Sequence, residues 1–161
     1  SYDSLRYEGF GPASSTLLVD CLTDNVNRAV SDVRAAFSKT HCKLGASGSV
    51  SYMYDNLCVI RFKGLTEDET IEALLNGDVD AEVEVDNDTI TLYGSPQDLF
   101  KIKTAIQNYK KDITFDLDEL TTLPKEKVTL TKEDLEIFKK LLKLLDDVED
   151  VSTKKKWIRF L

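Results

Sequence analysis

The feature that most constrains the fold is the order of periodic segments in the middle of the chain. The pattern predicts, in order, a strand, a helix, two strands, a helix and a strand, at residues 57–62, 66–77, 81–86, 89–93, 95–109 and 113–117. The order β-α-β-β-α-β is that of a ferredoxin-like domain, in which an antiparallel sheet carries two helices on one face. This region therefore predicts an α/β (α+β) fold of the ferredoxin-like class.

Capping and turn signals delimit these segments. Thr66-Glu67-Asp68-Glu69 has the form of a capping box, and Gly77 stands where that helix should end. Asn87-Asp88 predicts the turn of a hairpin, and Ser95-Pro96 predicts the start of the second helix. The apolar residues expected to face the sheet are Ile71, Leu74, Leu75, Leu99, Ile102, Ile106 and Tyr109.

The residues before this region predict the first half of another α/β domain. Ser15–Leu22 is nearly continuously apolar, as in a central strand that is buried on both faces. A helix is predicted over Val26–Lys39, with Arg28 and Asp32 paired on its polar side. A loop and then a strand over Val50–Tyr54 should follow. The apolar stripe of the helix is expected to comprise Val26, Val30, Val33 and Phe37.

The end of the chain predicts the other half of that domain. A strand near Val128 precedes a helix with its N-cap at Thr131. The apolar residues of this helix are Leu135, Phe138, Leu141, Leu142 and Leu145. Neither half has enough elements to cover its own apolar residues. We therefore expect residues 1–56 and 121–161 to form one discontinuous α/β domain, also ferredoxin-like, into which residues 57–120 are inserted.

The formal net charge of −8 is concentrated in the middle of the chain. Residues 58–123 hold 6 Lys and Arg against 15 Asp and Glu, whereas the counts are 5 against 6 for residues 1–57 and 10 against 8 for residues 124–161. An acidic segment repels phosphates, so this chain does not coat nucleic acid by charge alone.

The cysteine and histidine content argues against a metal site, a disulfide framework and an enzyme. The three cysteines have no CxxC spacing, and His41 is the only histidine. No Ser-His-Asp set and no carboxylate pair in an apolar context is evident. No apolar run reaches the roughly 20 residues of a membrane-spanning helix. We expect no cofactor, no membrane contact and no catalysis.

Three phrases resemble a known family. They are Tyr7-Glu8-Gly9-Phe10-Gly11-Pro12, Leu22-Thr23-Asp24-Asn25-Val26-Asn27-Arg28 and Leu44-Gly45-Ala46-Ser47-Gly48-Ser49-Val50-Ser51-Tyr52. In this order and spacing they resemble the YebC family, which includes the mitochondrial translational activator of cytochrome oxidase. The segment 49–55 is most similar to the branch called YeeN, and the resemblance covers roughly residues 5–150.

The resemblance implies an α/β domain interrupted by a second one, both preceded by a basic three-helix domain that the printed sequence does not contain. It implies a non-enzymatic regulator of gene expression, acting either on DNA in transcription or on messenger RNA or the ribosome in translation. It also implies a cytoplasmic protein, or a mitochondrial one for an organellar relative. Family members continue after the acidic turn with a strand containing Tyr-His-Asn, from which Ser152–Leu161 departs.

The motif loop formed by Tyr7, Gly9, Phe10, Gly11 and Pro12 has two interpretations. One is a strand end entering a tight turn, with glycines that permit a positive φ and with Phe10 in the core. The other is a surface loop that docks on a partner. The basic and aromatic tail Lys154–Phe160 is likewise typical of single-strand binding or of a frayed end.

A phosphate-facing patch is predicted at the start of the first helix, because free N–H groups and the helix dipole attract anions there. Its residues are Asn25, Asn27, Arg28 and Arg34, and Lys39 at the end of the same helix is a further candidate. The alternative is that Asp24 or Asn25 simply caps the helix.

The loop after this helix offers Lys43, Gly45 and Gly48 as further candidates. It could present backbone N–H groups to a phosphate backbone, or it could be a plain connection. It lacks the Gly-rich patterns of nucleotide-binding loops.

The charge pattern favours a translational activator that binds RNA or the ribosome. A reader of the DNA major groove needs a basic element that offers Arg or Asn to base edges, and the chain has none. A DNA-binding transcriptional regulator is the alternative, and a weaker one is a pair of domains that senses a small ligand.

Overall fold

A computed structural model describes the backbone of residues 1–159 and the side chains of residues 1–152. The described chain forms eight strands and four α-helices. In chain order they are β1 (Asp3–Phe10), β2 (Thr16–Thr23), α1 (Val26–Lys39), β3 (Lys43–Gly45), β4 (Tyr54–Lys63), α2 (Glu67–Asn76), β5 (Glu82–Asp86), β6 (Thr89–Gly94), α3 (Leu99–Tyr109), β7 (Phe115–Pro124), α4 (Lys132–Asp146) and β8 (Val151–Arg159). Short 3-10 turns lie at Ser51–Met53 and Pro96–Asp98.

The chain divides into two compact units. Unit 1 consists of residues 1–55 and 123–161, and unit 2 consists of residues 56–122. Unit 1 holds 15 Lys and Arg against 14 Asp and Glu, whereas unit 2 holds 6 against 15. The net charges are therefore +1 and −9, so nearly all of the excess negative charge belongs to unit 2.

Unit 2 follows the predicted β-α-β-β-α-β order, and its sheet has the strand order β5-β6-β4-β7. Helices α2 and α3 cover one face through a core that includes Ile60, Leu92 and Ile106. The Phe62 ring meets the Phe115 ring edge to face at 5.9 Å between centroids. This arrangement confirms the ferredoxin-like class.

Unit 1 has a second four-stranded sheet with the order β3-β1-β2-β8. Helices α1 and α4 pack on one face, where Leu17 of β2 meets Phe37 and Phe138. On the opposite face Leu18 packs against Val50 and Tyr54. The prediction that β2 is central and buried on both faces is therefore confirmed.

Two predicted strands are wrong. Val50–Tyr54 does not form a strand, since Ser51–Met53 is a 3-10 turn and β4 begins only at Tyr54. The strand after α1 is instead β3, within the segment expected to be a loop. Around Val128 the described backbone forms no strand. Instead, Leu130 packs its side chain against the helix-side core.

The helices are rotated relative to the predicted apolar stripes. Val26 and Leu75 are 41% and 74% exposed, although both were expected to face a sheet. The buried faces combine Val33, Phe37 and Leu74, which are buried as predicted, with small residues that the predicted stripes did not include, namely Ala29 and Ala36 in α1 and Ala73 in α2. These alanines permit close approach of each helix to its neighbours on that side.

The end of the chain supplies the outer strand of the first sheet. The backbone of β8 pairs antiparallel with β2, from Thr16 opposite Arg159 to Val19 opposite Lys156, and again at Cys21 opposite Val151. The departure of this segment from the family pattern thus leaves the sheet with four strands. The aromatic and basic side chains proposed for single-strand binding lie outside the described side chains, and residues 160 and 161 lie outside the described backbone.

Candidate nucleic-acid interface

Two aromatic rings explain the glycines of the motif Tyr7–Pro12. The Phe37 ring of α1 fills the space that a Cβ at Gly9 would take. The Phe138 ring of α4 does the same at Gly11. Neither glycine has a positive φ, so the expectation of left-handed backbone is wrong here. These positions require glycine because the helices pack directly against the backbone.

The other motif residues also contact unit 1 itself. Tyr7 packs against the helix-side core, and Phe10 packs against the core on the opposite face. The carbonyl oxygen of Pro12 accepts hydrogen bonds from the backbone N–H of Ser15 at 3.2 Å and from its hydroxyl at 2.6 Å. These contacts favour the interpretation as a strand end that enters a tight turn.

Glu8 is a buried carboxylate inside the same motif, at 5% exposure. Its Oε2 accepts a hydrogen bond from Gly48 N at 2.5 Å, and its Oε1 accepts from Val50 N at 2.9 Å and Ser51 N at 2.6 Å. Burial acts to raise the pKa of Glu8, but these backbone hydrogen bonds outweigh it and hold the pKa below its ordinary value. Glu8 therefore binds the Gly-rich segment as an anion.

This arrangement bears on the predicted phosphate-binding loop. The backbone N–H groups of Gly48, Val50 and Ser51 already donate to Glu8, so they are not presented to an external phosphate. Gly45 ends strand β3, and its backbone lies against the Phe10 ring and the Ser49 side chain. Gly48 has a φ of 87° and open space around it.

At the start of α1, Asn25 is the N-cap. Its Oδ1 accepts a hydrogen bond from Arg28 N at 3.0 Å. Thr23 Oγ1 accepts from Asn25 N at 2.9 Å, which fixes the turn before the helix. The capping interpretation thus accounts for Asn25.

Arg28 makes a bidentate ion pair with Asp150, the residue just before β8. Its Nε lies 3.0 Å from Asp150 Oδ2 and its Nη2 lies 2.7 Å from Asp150 Oδ1, while Nη2 also contacts Asp24 Oδ1 at 2.9 Å. The expected partner Asp32 is not used. Hydrogen bonds to Asp150 and Asp24 raise the pKa of Arg28, and the same contact lowers the pKa of Asp150. Arg28 thereby ties the start of α1 to the segment before β8.

The remaining candidates lie on the surface of unit 1. Asn27 and Arg34 are exposed and seven residues apart, so they share one face of α1. Lys39 is exposed in the last turn of α1, and Lys43 is exposed at the start of β3. Arg34, Lys39 and Lys43 therefore all lie on exposed surface of unit 1.

Lys39 lines a groove of about 440 Å³ between α1 and α4. Asp32 of α1 and the acidic residues Asp147 and Glu149 line the same groove. The groove thus has three acidic side chains and one basic one in its lining, and this balance disfavours the approach of a phosphate.

A recess of about 370 Å³ in unit 1 was not predicted from the sequence. It is lined by Tyr52, Met53, Lys125 and Glu126, and Tyr52 is 64% exposed. An exposed aromatic ring beside a lysine is a combination seen in single-strand binding, and Lys125 Nζ also lies 3.8 Å from Asp55 Oδ1. Tyr52 and Lys125 are 73 positions apart in the sequence, so only the fold brings them together. The hydrogen bond from Lys125 N to Met53 O, at 2.9 Å, holds the two segments side by side.

No cluster of three or more His, Cys, Asp and Glu with the geometry of a metal site occurs among the described residues. His41 is exposed with a φ of 57°, and Cys42 Sγ donates to the carbonyl oxygen of Thr40 at 3.6 Å. Cys21 is buried, and its burial raises the pKa of the thiol to about 11. In the part of the chain described, no helix is long and apolar enough to span a membrane.

Comparison with known proteins gives consistent matches. The family model described as "TACO1/YebC second and third domain" matches residues 2–153. A probable transcriptional regulatory protein of Vibrio campbellii is 44% identical over 151 residues, and one of Alteromonas mediterranea is 39% identical over 151 residues. Each match covers 93% of this chain and 63% of the relative. The chain thus spans less than two thirds of the length of these relatives.

A solved structure agrees with these matches. The crystal structure of a conserved hypothetical protein, Aq1575, from Aquifex aeolicus superposes with a TM-score of 0.77 at 27% identity. The superposition covers 99% of this chain and 65% of that one. The three phrases, the two α/β units and these matches agree, and the chain belongs to the TACO1/YebC family, with the family's second and third domains over residues 2–153.

Proposed function

We propose that this protein is a translation factor that binds RNA on the ribosome through unit 1. The observation that carries the proposal is the division of charge, with a net charge of +1 on unit 1 and −9 on unit 2. Phosphates approach unit 1 without the long-range repulsion that unit 2 exerts. A ribosome offers both RNA and basic protein surfaces, so it suits a partner with one near-neutral and one acidic unit.

The contacts proposed for RNA are the exposed side chains Asn27, Arg34 and Lys43 together with the recess at Tyr52 and Lys125. Arg34 and Lys43 would meet phosphates, and Tyr52 would stack on an unpaired base. Arg28 supports the interface indirectly, because its ion pair with Asp150 fixes the start of α1.

Cosedimentation with 70S ribosomes near physiological salt tests this proposal. Reversing two charges on unit 1, Arg34→Glu with Lys43→Glu, should weaken binding at least about tenfold, because each loses a phosphate contact. The matched control reverses two exposed charges on unit 2, Lys101→Glu with Lys111→Glu, and changes the net charge equally. Equal losses in both variants would contradict binding through unit 1.

The variant Tyr52→Ala tests the contribution of base stacking to RNA binding separately from that of the phosphate contacts. The side chain is largely exposed, so its removal should leave the fold intact. Affinity for a single-stranded RNA should fall about tenfold, since stacking on one base is worth about 1–3 kcal/mol. The dependence of binding on salt should stay the same, because no phosphate contact is lost.

A DNA-binding transcriptional regulator is the second candidate, and the names of the relatives favour it. A gel shift with duplexes of differing sequence distinguishes the two functions. Selective retardation of one duplex, without pelleting on ribosomes, would favour transcription and contradict the first proposal. On either function the protein acts by binding, in the cytoplasm, and performs no covalent step.

A further inference from the structure

The segment of residues 46–53, between β3 and β4, lies over the face of the first sheet opposite the helices. Val50, in its middle, is fully buried and packs against Leu18 and Tyr54. The segment has no charged side chain. Its internal hydrogen bonds are short-range, from Ser49 N to Ala46 O at 3.1 Å and from Met53 N to Val50 O at 2.9 Å.

A single carboxylate holds the middle of this segment. Three backbone N–H groups, at Gly48, Val50 and Ser51, converge on Glu8, which lies in the neighbouring strand β1 and is 5% exposed. Hydrogen bonds to an ionised acceptor are the stronger kind, and a neutral carboxyl or amide cannot accept three of them equally well. The closed position of the segment therefore depends on the charge of one residue.

We propose that residues 46–53 form a strap that opens as one unit, with the Glu8 carboxylate as the pin that keeps it closed. The far end is fastened separately, by Lys125 N to Met53 O at 2.9 Å and by Tyr54 OH to Thr16 O at 3.0 Å. Gly48, the first of the pinned residues, has a φ of 87° and open space around it, so the chain can turn there once its hydrogen bond to Glu8 is released. Opening uncovers Leu18 and Phe10, an apolar surface that the closed strap keeps from water.

Several charged residues share the sheet face of Glu8. Among the described side chains they are Arg6 of β1, Asp20 of β2 and Lys43 of β3. Arg6 forms an ion pair with Asp20 at 2.6 Å, and its charge also interacts with that of Glu8. The strap itself contributes only the phenol of Tyr52 as a titratable group.

Hydrogen exchange of the intact chain, read by NMR in the absence of RNA, tests the strap independently of the proposed function. In Glu8→Gln, the amides of Val50 and Ser51 should exchange about 10- to 100-fold faster, because they lose a charged acceptor. Amides in α1 and in β2 should be unchanged. The matched control is Asp32→Asn, which neutralises an exposed carboxylate of unit 1 on helix α1.

Two outcomes would overturn the proposal. If exchange accelerates equally throughout unit 1, Glu8 stabilises the whole unit and there is no separate strap. If the strap amides are unaffected, Glu8 does not hold them.

The wild-type chain provides a second measurement that needs no variant. The amide resonances of Gly48, Val50 and Ser51 should move together on acidification, with one midpoint below the ordinary pKa of a glutamic acid near 4.3. Separate midpoints, or no movement before the unit unfolds, would contradict a shared pin.

Discussion

Different kinds of contact stabilise the two units of the chain. Unit 1 uses charged side chains that join distant segments, as in the pairs Glu8 with residues 48–51 and Arg28 with Asp150. Unit 2 uses an apolar core and local caps, such as the reciprocal hydrogen bonds of Thr66 and Glu69. Unit 2 also has ion pairs between distant residues, such as Arg61 with Asp116, but these two side chains are 42% and 60% exposed, and exposed pairs contribute little.

The difference follows from how the chain is divided. Unit 2 is one continuous stretch, so its elements meet through short connections and need few extra ties. Unit 1 is assembled from stretches 67 residues apart in sequence, and closing it costs more chain entropy. Specific charged contacts fix the position of each returning segment in a way that apolar packing alone does not. Variants that affect one unit at a time test this contrast.

The largest expected effect is that of Gly9→Ala in unit 1. The new methyl group overlaps the Phe37 ring, which is buried and has no room to move. Overpacking of this kind costs about 2–3 kcal/mol. Urea unfolding followed by amide resonances of each unit should show loss of stability in unit 1 alone. The matched variant in unit 2 is Gly94→Ala, where the methyl meets Ile102 Cδ1 at 2.5 Å and Cys58 Sγ at 3.3 Å, so any loss of stability should be confined to unit 2.

The next largest effect should be a difference between the two units in how their stability depends on pH. The pKa values of Glu8 and Asp150 are lowered in the folded state, so their contribution is present above the unfolded values near 4 and is lost as pH falls through the folded ones. Loss of the charged hydrogen bonds of Glu8 alone costs about 2 kcal/mol. In unit 2, protonation relieves the mutual repulsion of its carboxylates.

Urea midpoints of the two units between pH 7 and pH 3 measure this difference. The midpoint of unit 1 should fall more steeply with decreasing pH than that of unit 2. Parallel declines would show that the buried charges are not what distinguishes unit 1.

A smaller effect is expected for Gly77→Ala in unit 2. The methyl group would meet the side chain and backbone of Ala105, where α2 and α3 pack most closely. We expect a loss of about 1–2 kcal/mol, confined to unit 2. An unchanged midpoint would mean that α2 shifts to accommodate the methyl group and that its packing against α3 at Ala105 is not tight.

The smallest effects are expected at two helix ends, one in each unit. His41 and Asp78 follow the C-caps of α1 and α2 with φ of 57° and 51°, in the left-handed conformation that glycine adopts most easily. His41→Gly and Asp78→Gly should each stabilise their own unit by about 0.5 kcal/mol. Thermal denaturation with unit-specific resonances measures both. Destabilisation would show that the original side chains make compensating contacts.

The elements of unit 2 could be predicted from the sequence because their signals are local. The capping box at Thr66 and the hairpin turn at Asn87 depend on residues close together in the chain. In unit 1 the helix Val26–Lys39 was predicted with its correct bounds for the same reason. The end of α2 shows a detail that the sequence did not predict. Gly77 was expected to end the helix, and it does, but Asp78 takes the positive φ.

The contacts of unit 1 could not be predicted, because they join residues far apart. Nothing in the sequence near Val50–Tyr54 indicates that the backbone N–H groups of Val50 and Ser51 donate to Glu8. Nor does it indicate that Ser51–Met53 forms a 3-10 turn rather than a strand. Likewise, Arg28 pairs with Asp150, which is 122 positions away in the sequence, and not with the expected partner Asp32. The candidate site residues were named from residue type and position on the helix, and their role in binding remains a prediction.

The junction between the units has a consequence for how such proteins change over evolution. Thr122 Oγ1 donates to Asn56 Oδ1 at 2.9 Å, so the first and last residues of unit 2 are adjacent. Lys125 N and Met53 O, on the other side of the junction, are also 2.9 Å apart. A chain that leaves a domain and returns at the same place can gain, lose or exchange the intervening piece without moving a strand of its host. We therefore expect changes on the acidic surface of unit 2 to leave the fold of unit 1 intact.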